Sequence, residues 1–395
     1  MPSDEVEKLI RELRSPGWRF WGKAERRQTT VMKLAEIGPP AVTALPALIE
    51  VISNDKEDER VRQNVSVAIG AMGHAARSAV PALTGALKSS NADTRYMAAA
   101  AIAKVGAETA DIVRIFSAAL ADESPLVRRL AAETLGRTGR EAAEAIPSLA
   151  KATSDPMPNV RRQVVEALGR VGVENPAAVS ALAATLKDKD ASVRHAAAWS
   201  LGVVGAEARK AVGELSRLLE DPDSGCRHSA ALTLKALLTP AVHDRDEGRR
   251  AEAIAAFGMM RDDAETVVPY LIEALSDKAA SVRAEAAKSI ERMGEAARAA
   301  VPELVLAMKD EQSEVRERAA MALCQMLLDA DAIVPALIAA LMDENAKVRQ
   351  CSAFALGRMG AKARSAVPAL KELAQLGGGP TRDAAVEALA AIEKA

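Results

Sequence analysis

Eleven arginines divide this chain at a fixed interval. Arg62, Arg95, Arg128, Arg161, Arg194 and Arg227 lie 33 residues apart, and after one step of 23 residues Arg250, Arg283, Arg316, Arg349 and Arg382 resume the same spacing. A period of this size marks a stack of near-identical supersecondary units, each touching only its neighbours. The core then grows along one axis, so the 395 residues need not split into the two or three globular domains that such a length usually implies.

Residues 145–172, AIPSLAKATSDPMPNVRRQVVEALGRVG, show what one unit must be. Ile146, Leu149 and Thr153 form a helical i, i+3, i+7 stripe, and Pro147 falls in the opening turn, where a missing N–H costs nothing. The stripe recurs as Val80-Leu83-Leu87, Val268-Leu271-Leu275 and Val334-Leu337-Leu341. An aspartate closes this first helix: Asp122, Asp155, Asp188 and Asp221, then Asp277, Asp310 and Asp343. The second helix begins at the periodic arginine and ends at a glycine such as Gly139, Gly172 or Gly294, the residue a helix C-terminus prefers. Each unit is therefore a helical hairpin.

At 100° per residue, positions +3, +4, +7 and +10 from the arginine cluster on one side of the second helix. Val164, Val165, Leu168 and Val171 hold them in one unit, so this side is expected to be core. Positions +1, +2, +5 and +9 lie opposite, change from unit to unit and are expected to face solvent. The segments Ala79–Leu83 and Ala366–Leu370 (AVPAL), the closing aspartate, and Val127–Gly139 and Val348–Gly360 together resemble HEAT repeats of the short bacterial type, similar to the HEAT-like repeats of phycobilisome lyases. That resemblance extends over nearly the whole chain. It implies an all-α fold, a right-handed α–α superhelix of about twelve hairpins, and an interaction scaffold.

The short step implies a truncated eighth unit. The expected organisation is about seven hairpins over residues 1–239, a truncated repeat or elbow at 240–261, and about four hairpins over 262–395. In the first unit SPGWRFWG forms a long turn, whose Trp18, Phe20 and Trp21 either cap the open core end or bind a partner. The last unit carries Gly377-Gly378-Gly379-Pro380 in its turn and a polar end suited to a terminal cap.

The arginines and aspartates read as a structural ladder: Arg128, Asp155, Arg161, Asp188, Arg194, Asp221, Arg283, Asp310, Arg316, Asp343 and Arg349. Each arginine lies beneath the turn before it, which pairs Arg161 with Asp155 or a nearby carbonyl; a phosphate-binding ladder is the other reading. Arginine's planar fork suits such a clamp, and no unit puts lysine there. The variable face supplies the candidate partner-binding residues: Tyr96, Arg129, Arg162, His195, Trp199, His228, Leu232, Met321 and Phe354. Exposed Trp, Phe and Met are enriched in interfaces, although a neighbouring turn could also bury them.

Other chemistries find little support. The hydrophobic fraction is 49% with only 2% aromatic, suiting closely packed helices, and the net charge of −2 creates no global field for nucleic acid or membrane. Cys226, Cys324 and Cys351 form no CxxC pair and read as reduced thiols. His195 and His228, one repeat apart, lack the further ligands of a zinc site, so no metal and no cofactor is expected. No catalytic residue is identified: there is no His-Glu dipeptide of the iron hydroxylase type, no basic aromatic channel of the glycosylase type and no phosphate loop. The reading is a non-enzymatic protein-binding scaffold acting through a concave face of second helices. A bilin-lyase-like protein or enzyme subunit is the alternative, and nucleic-acid or anionic-ligand binding a second. No apolar run approaches the ~20 residues that span a bilayer, so a cytoplasmic chain, off the membrane and monomeric, is expected.

Thr239-Pro240 and the charged segment His243–Gly248 interrupt the stack, because proline removes a donor and clashes with the preceding turn. Limited proteolysis is expected to cut first within Ala241–Arg250 and release two folded halves. First cleavage elsewhere, with this segment resistant, would show that the shortened unit packs continuously.

Overall fold

The structure is a computed structural model that describes residues 2–15, 23–326 and 330–395. Trp18, Phe20 and Trp21 lie outside the described residues. Within them every long element is a helix, and the helices pair as hairpins. The first six hairpins are α1 (Pro2–Arg14) with α2 (Lys23–Ile37), α3 (Leu45–Ile52) with α4 (Glu59–Ala71), α5 (Val80–Ala86) with α6 (Ala92–Val105), α7 (Thr109–Ala119) with α8 (Pro125–Thr138), α9 (Ile146–Ala152) with α10 (Pro158–Val171), and α11 (Pro176–Thr185) with α12 (Ala191–Val204). A seventh hairpin, α13 (Val212–Leu218) with α14 (Ser224–Leu238), precedes the unpaired α15 (Glu247–Phe257). Four more follow: α16 (Ala264–Ala274) with α17 (Ala280–Met293), α18 (Val301–Ala307) with α19 (Ser313–Leu323), α20 (Ala330–Ala340) with α21 (Ala346–Met359), and α22 (Val367–Leu376) with α23 (Pro380–Lys394). The chain forms two compact units, one through Ala211 and one from Val212 onward.

Local chemistry sets the ends of these helices. Asn91, Asn175, Asp190 and Asp223 cap second or first helices by accepting backbone amides from the opening turn. Gly73, Gly106, Gly139, Gly294 and Gly360 end second helices at positive φ. Gly172 does not: its φ is −92°, and the left-handed residue of that turn is Glu174 at 59°. What Gly172 supplies is space, since a Cβ there would lie 2.1 Å from the Ala178 methyl.

Several second helices run into a short 3₁₀ helix before the next first helix, as at Gly139–Ala145, Gly294–Ala300 and Gly360–Ala366. Their buried alanines, Ala142 with Ala145 and Ala363 with Ala366, fall three apart. With three residues per turn those methyls line up on the core side. The sequence pattern alone reads these segments as turns.

Val164, Val165, Leu168 and Val171 are all buried. A further contact lies at position +8, where the recurring glycine sets how closely second helices approach. A Cβ on Gly136 would lie 3.0 Å from the Ala167 Cα, on Gly169 2.7 Å from the Ser200 Cβ, and on Gly357 2.9 Å from the Ala388 Cα. Small residues on both sides let α8, α10 and α12, like α21 and α23, pack backbone to backbone.

Gly169→Ala should therefore lower stability by about 1–3 kcal/mol through overpacking, against a helix-propensity gain of ~1 kcal/mol. Gly85→Ala, in α5 with no atom within 4 Å of the new methyl, should show the propensity gain alone. Thermal melting of both variants checks this, and equal signs would refute the close-packing role.

Candidate interaction face

Arg62, Arg95, Arg128, Arg161, Arg250, Arg283 and Arg316 are buried, Arg194, Arg227 and Arg349 half-buried and Arg382 exposed, and most of the buried ones are held from two sides. In Arg161, Nη1 donates to the carbonyl oxygens of Asp155 at 2.9 Å and Pro156 at 3.2 Å, in the turn of its own hairpin. Its Nε and Nη2 donate to the two carboxylate oxygens of Asp188, both at 2.7 Å, in the turn of the following hairpin. The same fork joins Arg95 to Asp122, Arg128 to Asp155, Arg250 to Asp277, Arg283 to Asp310 and Arg316 to Asp343, always 27 residues ahead. The carboxylate partner of Arg161 is thus not Asp155, whose side chain is taken by Arg128; only the Asp155 carbonyl serves Arg161. Each aspartate also accepts the amide two residues on, as Asp188 does from Asp190 at 2.8 Å, which shapes its turn.

Burial pushes the Asp188 carboxyl up, but the hydrogen bonds from Arg161 and the Asp190 amide, with the arginine's charge, hold it below the ordinary carboxylate range. The same balance lowers Asp122, Asp277, Asp310 and Asp343. A paired, hydrogen-bonded fork offsets the cost of burying both charges.

Arg382 is exposed and donates to the Gly377 carbonyl oxygen at 3.1 Å; Arg62, Arg349 and Arg227 also depart from the pattern, each for a readable reason. Position +27 from Arg62 is Ser89, so Arg62 turns to Asp55 and Glu59. Position +27 from Arg349 is Leu376, and Arg349 keeps only the carbonyls of Asp343 and Glu344. Position +27 from Arg227 is Ile254, because the first helix of the eighth unit is missing and the 3₁₀ turn Thr239–His243 replaces it. Arg227 instead meets Asp262, in the link after α15, at 3.1 Å. The start of α14 thus shares an edge with the end of α15. A cleft of about 700 Å³ opens there, lined by Asp221, Arg227, Met260, Asp262 and Arg292 among others. Within each compact unit the forks set the starts of consecutive second helices side by side, so those helices run parallel, whereas Arg227 at the start of α14 meets Asp262 beyond the end of α15, so these two are antiparallel.

The variable face is placed as follows. Arg162, His195, Trp199, His228, Leu232 and Phe354 are exposed, whereas Tyr96, Arg129 and Met321 are half-buried. Trp199 is 57% exposed, Phe354 49% and Leu232 44%. Trp199 belongs to the first compact unit and Leu232 to the second, so each is considered within its own unit. Near the reversal the variable face is partly covered. Ala284, at +1 of α17, is buried, and Val212, Gly213 and Ser216 of α13 line a cleft of about 460 Å³ together with Ala251 and Ala255 of α15 and Met259 just beyond it.

Among the described residues no three His, Cys, Asp or Glu side chains are arranged to hold a metal ion, and no helix is long and apolar enough to cross a membrane. Burial pushes the Cys324 thiol up and Cys351 to about 11, so neither supplies a ready thiolate.

A family model described as HEAT repeats matches residues 22–103, 112–202, 181–242, 235–323 and 301–390. Among curated proteins none matches. Solved structures that align include an engineered protein, 20% identical, covering 98% of this chain and 99% of its own with a TM-score of 0.33. Another is karyopherin Kap121p bound to the extreme C-terminus of the protein phosphatase Cdc14p, 13% identical, covering 98% of this chain and 50% of the karyopherin with a TM-score of 0.45. This chain spans about half the length of that karyopherin.

Arg161→Ala should cost about 3 kcal/mol at neutral pH by leaving the Asp188 carboxylate and two carbonyls unpaired. The folded-state carboxyl is depressed, so its contribution is present above the unfolded value of about 4 and lost as pH falls through the folded one. Urea unfolding should therefore show the variant's deficit shrinking between pH 5 and pH 2. A deficit independent of pH would mean that the ion pair is not what Arg161 contributes.

Proposed function

Because the chain belongs to the HEAT-repeat family, we propose that it is a non-catalytic scaffold that binds protein through the exposed face of its second helices. The observation that carries this reading is the placement of large apolar side chains at position +5, where Trp199, Leu232 and Phe354 stand between 44% and 57% exposed. The opposite side of each of these helices is fully used in packing. Burial in the fold therefore does not account for these side chains, and Trp and Phe are residue types enriched at interface centres.

A photo-crosslinking amino acid at position 199, 232 or 354 should trap protein in extracts of the source cells. The same group at Lys151, exposed on first helix α9, should not. Equal trapping from Lys151, or none from all three face positions, would overturn the scaffold reading.

A further inference from the structure

Within the first compact unit, the exposed faces of α6, α8, α10 and α12 form an ordered charge pattern. Position +9 carries Lys104, Arg137 and Arg170 on three successive second helices, all exposed and none ion-paired among the described residues. Position +1 carries Arg129 and Arg162 on α8 and α10. Between the two rows, position +5 carries Glu133 and Glu166; Arg162 lies 3.9 Å from Glu166, too far for a strong pair. On α12 the pattern changes to Trp199 and Val203, 57% and 42% exposed. Five cations against two carboxylates make this strip basic on a chain whose overall charge is −2. The strip ends at an apolar wall.

We propose that this strip binds an extended acidic peptide segment of a partner protein, with carboxylates on the Lys104–Arg137–Arg170 row and an apolar residue against Trp199 and Val203. The proposal rests on the scaffold reading and names the partner chemistry of that same face. Packed helices stand ~8–10 Å apart, and one three-residue turn of a polyproline-II chain rises about 9 Å and returns the side chain to the same side. Acidic residues at every third position therefore meet successive cations. Glu133 and Glu166 favour a peptide over a nucleic acid. They repel a continuous phosphodiester backbone placed between the two rows, but can accept the N–H groups of a peptide main chain. The +9 cations also sit in the last turns of their helices, where they complement the helix dipole. That role does not explain Arg129 and Arg162 in the second row, nor the aromatic wall beside them.

Fluorescence anisotropy with two labelled decapeptides tests this: Glu-Ser-Ser-Glu-Ser-Ser-Glu-Ser-Ser-Phe and its reversed sequence. The full-length protein should bind one of them, with affinity falling as salt rises. Arg137→Gln with Arg170→Gln should weaken binding at least fivefold. Trp199→Ala should weaken it similarly, but should leave unchanged the affinity of the same peptide with Ala in place of Phe. Circular dichroism melts of each variant show whether the fold is kept, and Lys151→Gln on the first-helix side serves as the neutral-position control. Absence of binding to both peptides, binding unaffected by the double substitution, or tighter binding of a single-stranded oligouridine would overturn the proposal. Crosslinking from position 199 that persists while both peptides fail would sink the acidic-peptide assignment and leave the scaffold reading standing.

Discussion

The fork between an arginine and the aspartate of the next hairpin is the contact on which the regularity of this molecule depends. Four of the five guanidinium N–H donors are committed in Arg161, two to carbonyls of its own turn and two to the Asp188 carboxylate. The side chain therefore measures the distance from one turn to the next. A lysine would carry the charge but could not reach both partners in one plane. The aspartate is equally committed, since it shapes its own turn by accepting the amide two residues on. A buried ion pair is a weak source of net stability, yet breaking one partner away is costly. The ladder thus penalises any hairpin that slips or tilts, and specifies one spacing.

A second constraint acts on the other part of the second helices. Where +8 is glycine it faces an alanine or serine of the next second helix, and an added Cβ would overlap it at Gly169 and Gly357 and crowd it at Gly70 and Gly136. The fork fixes the approach at the helix start, and the glycine fixes it near the end. Between these two points the aliphatic side chains at +3, +4 and +7 fill the space, which explains why the core is built from Ala, Val and Leu and holds so few aromatics.

The period, the hairpin, the aspartate turns and the buried side of each second helix are all legible in the sequence, because each is a local pattern repeated many times. The true partner of each arginine is not. Every ladder aspartate has one periodic arginine six residues after it and another 27 before it, and a strict repeat makes the two pairings equivalent on paper. Side-chain direction decides between them in space. Exposure on the variable face is legible where a neighbouring helix adds nothing, as at Trp199 and Phe354. It fails at Met321 and Ala284, where the surroundings set the burial. The basic strip of α6, α8 and α10 escapes a reading by overall charge, since its excess cations are balanced elsewhere in the chain.

The missing helix shows how a small change in sequence has a discrete structural effect. In a stack of hairpins each helix reverses the direction of the one before it, so second helices separated by a first helix run parallel. Removing a single helix leaves α14 and α15 adjacent in sequence, and α15 must run back along the opposite direction. From that point within the second compact unit, the edge that carries the start of α14 carries the ends of α15 and α17, as Arg227, Asp262 and Arg292 record around one cleft. The ladder of Arg250, Arg283 and Arg316 accordingly lies on the edge opposite Arg227. Loss of a whole hairpin would have left every direction unchanged and the ladder unbroken; loss of half a hairpin cannot. The same parity brings a first helix, α13, beside the variable face of α15, which interrupts the exposed rows there. Position +1 of α17 is buried, and after Leu232 the large exposed apolar side chain at +5 reappears at Phe354 on α21, beyond the half-buried Met321 of α19.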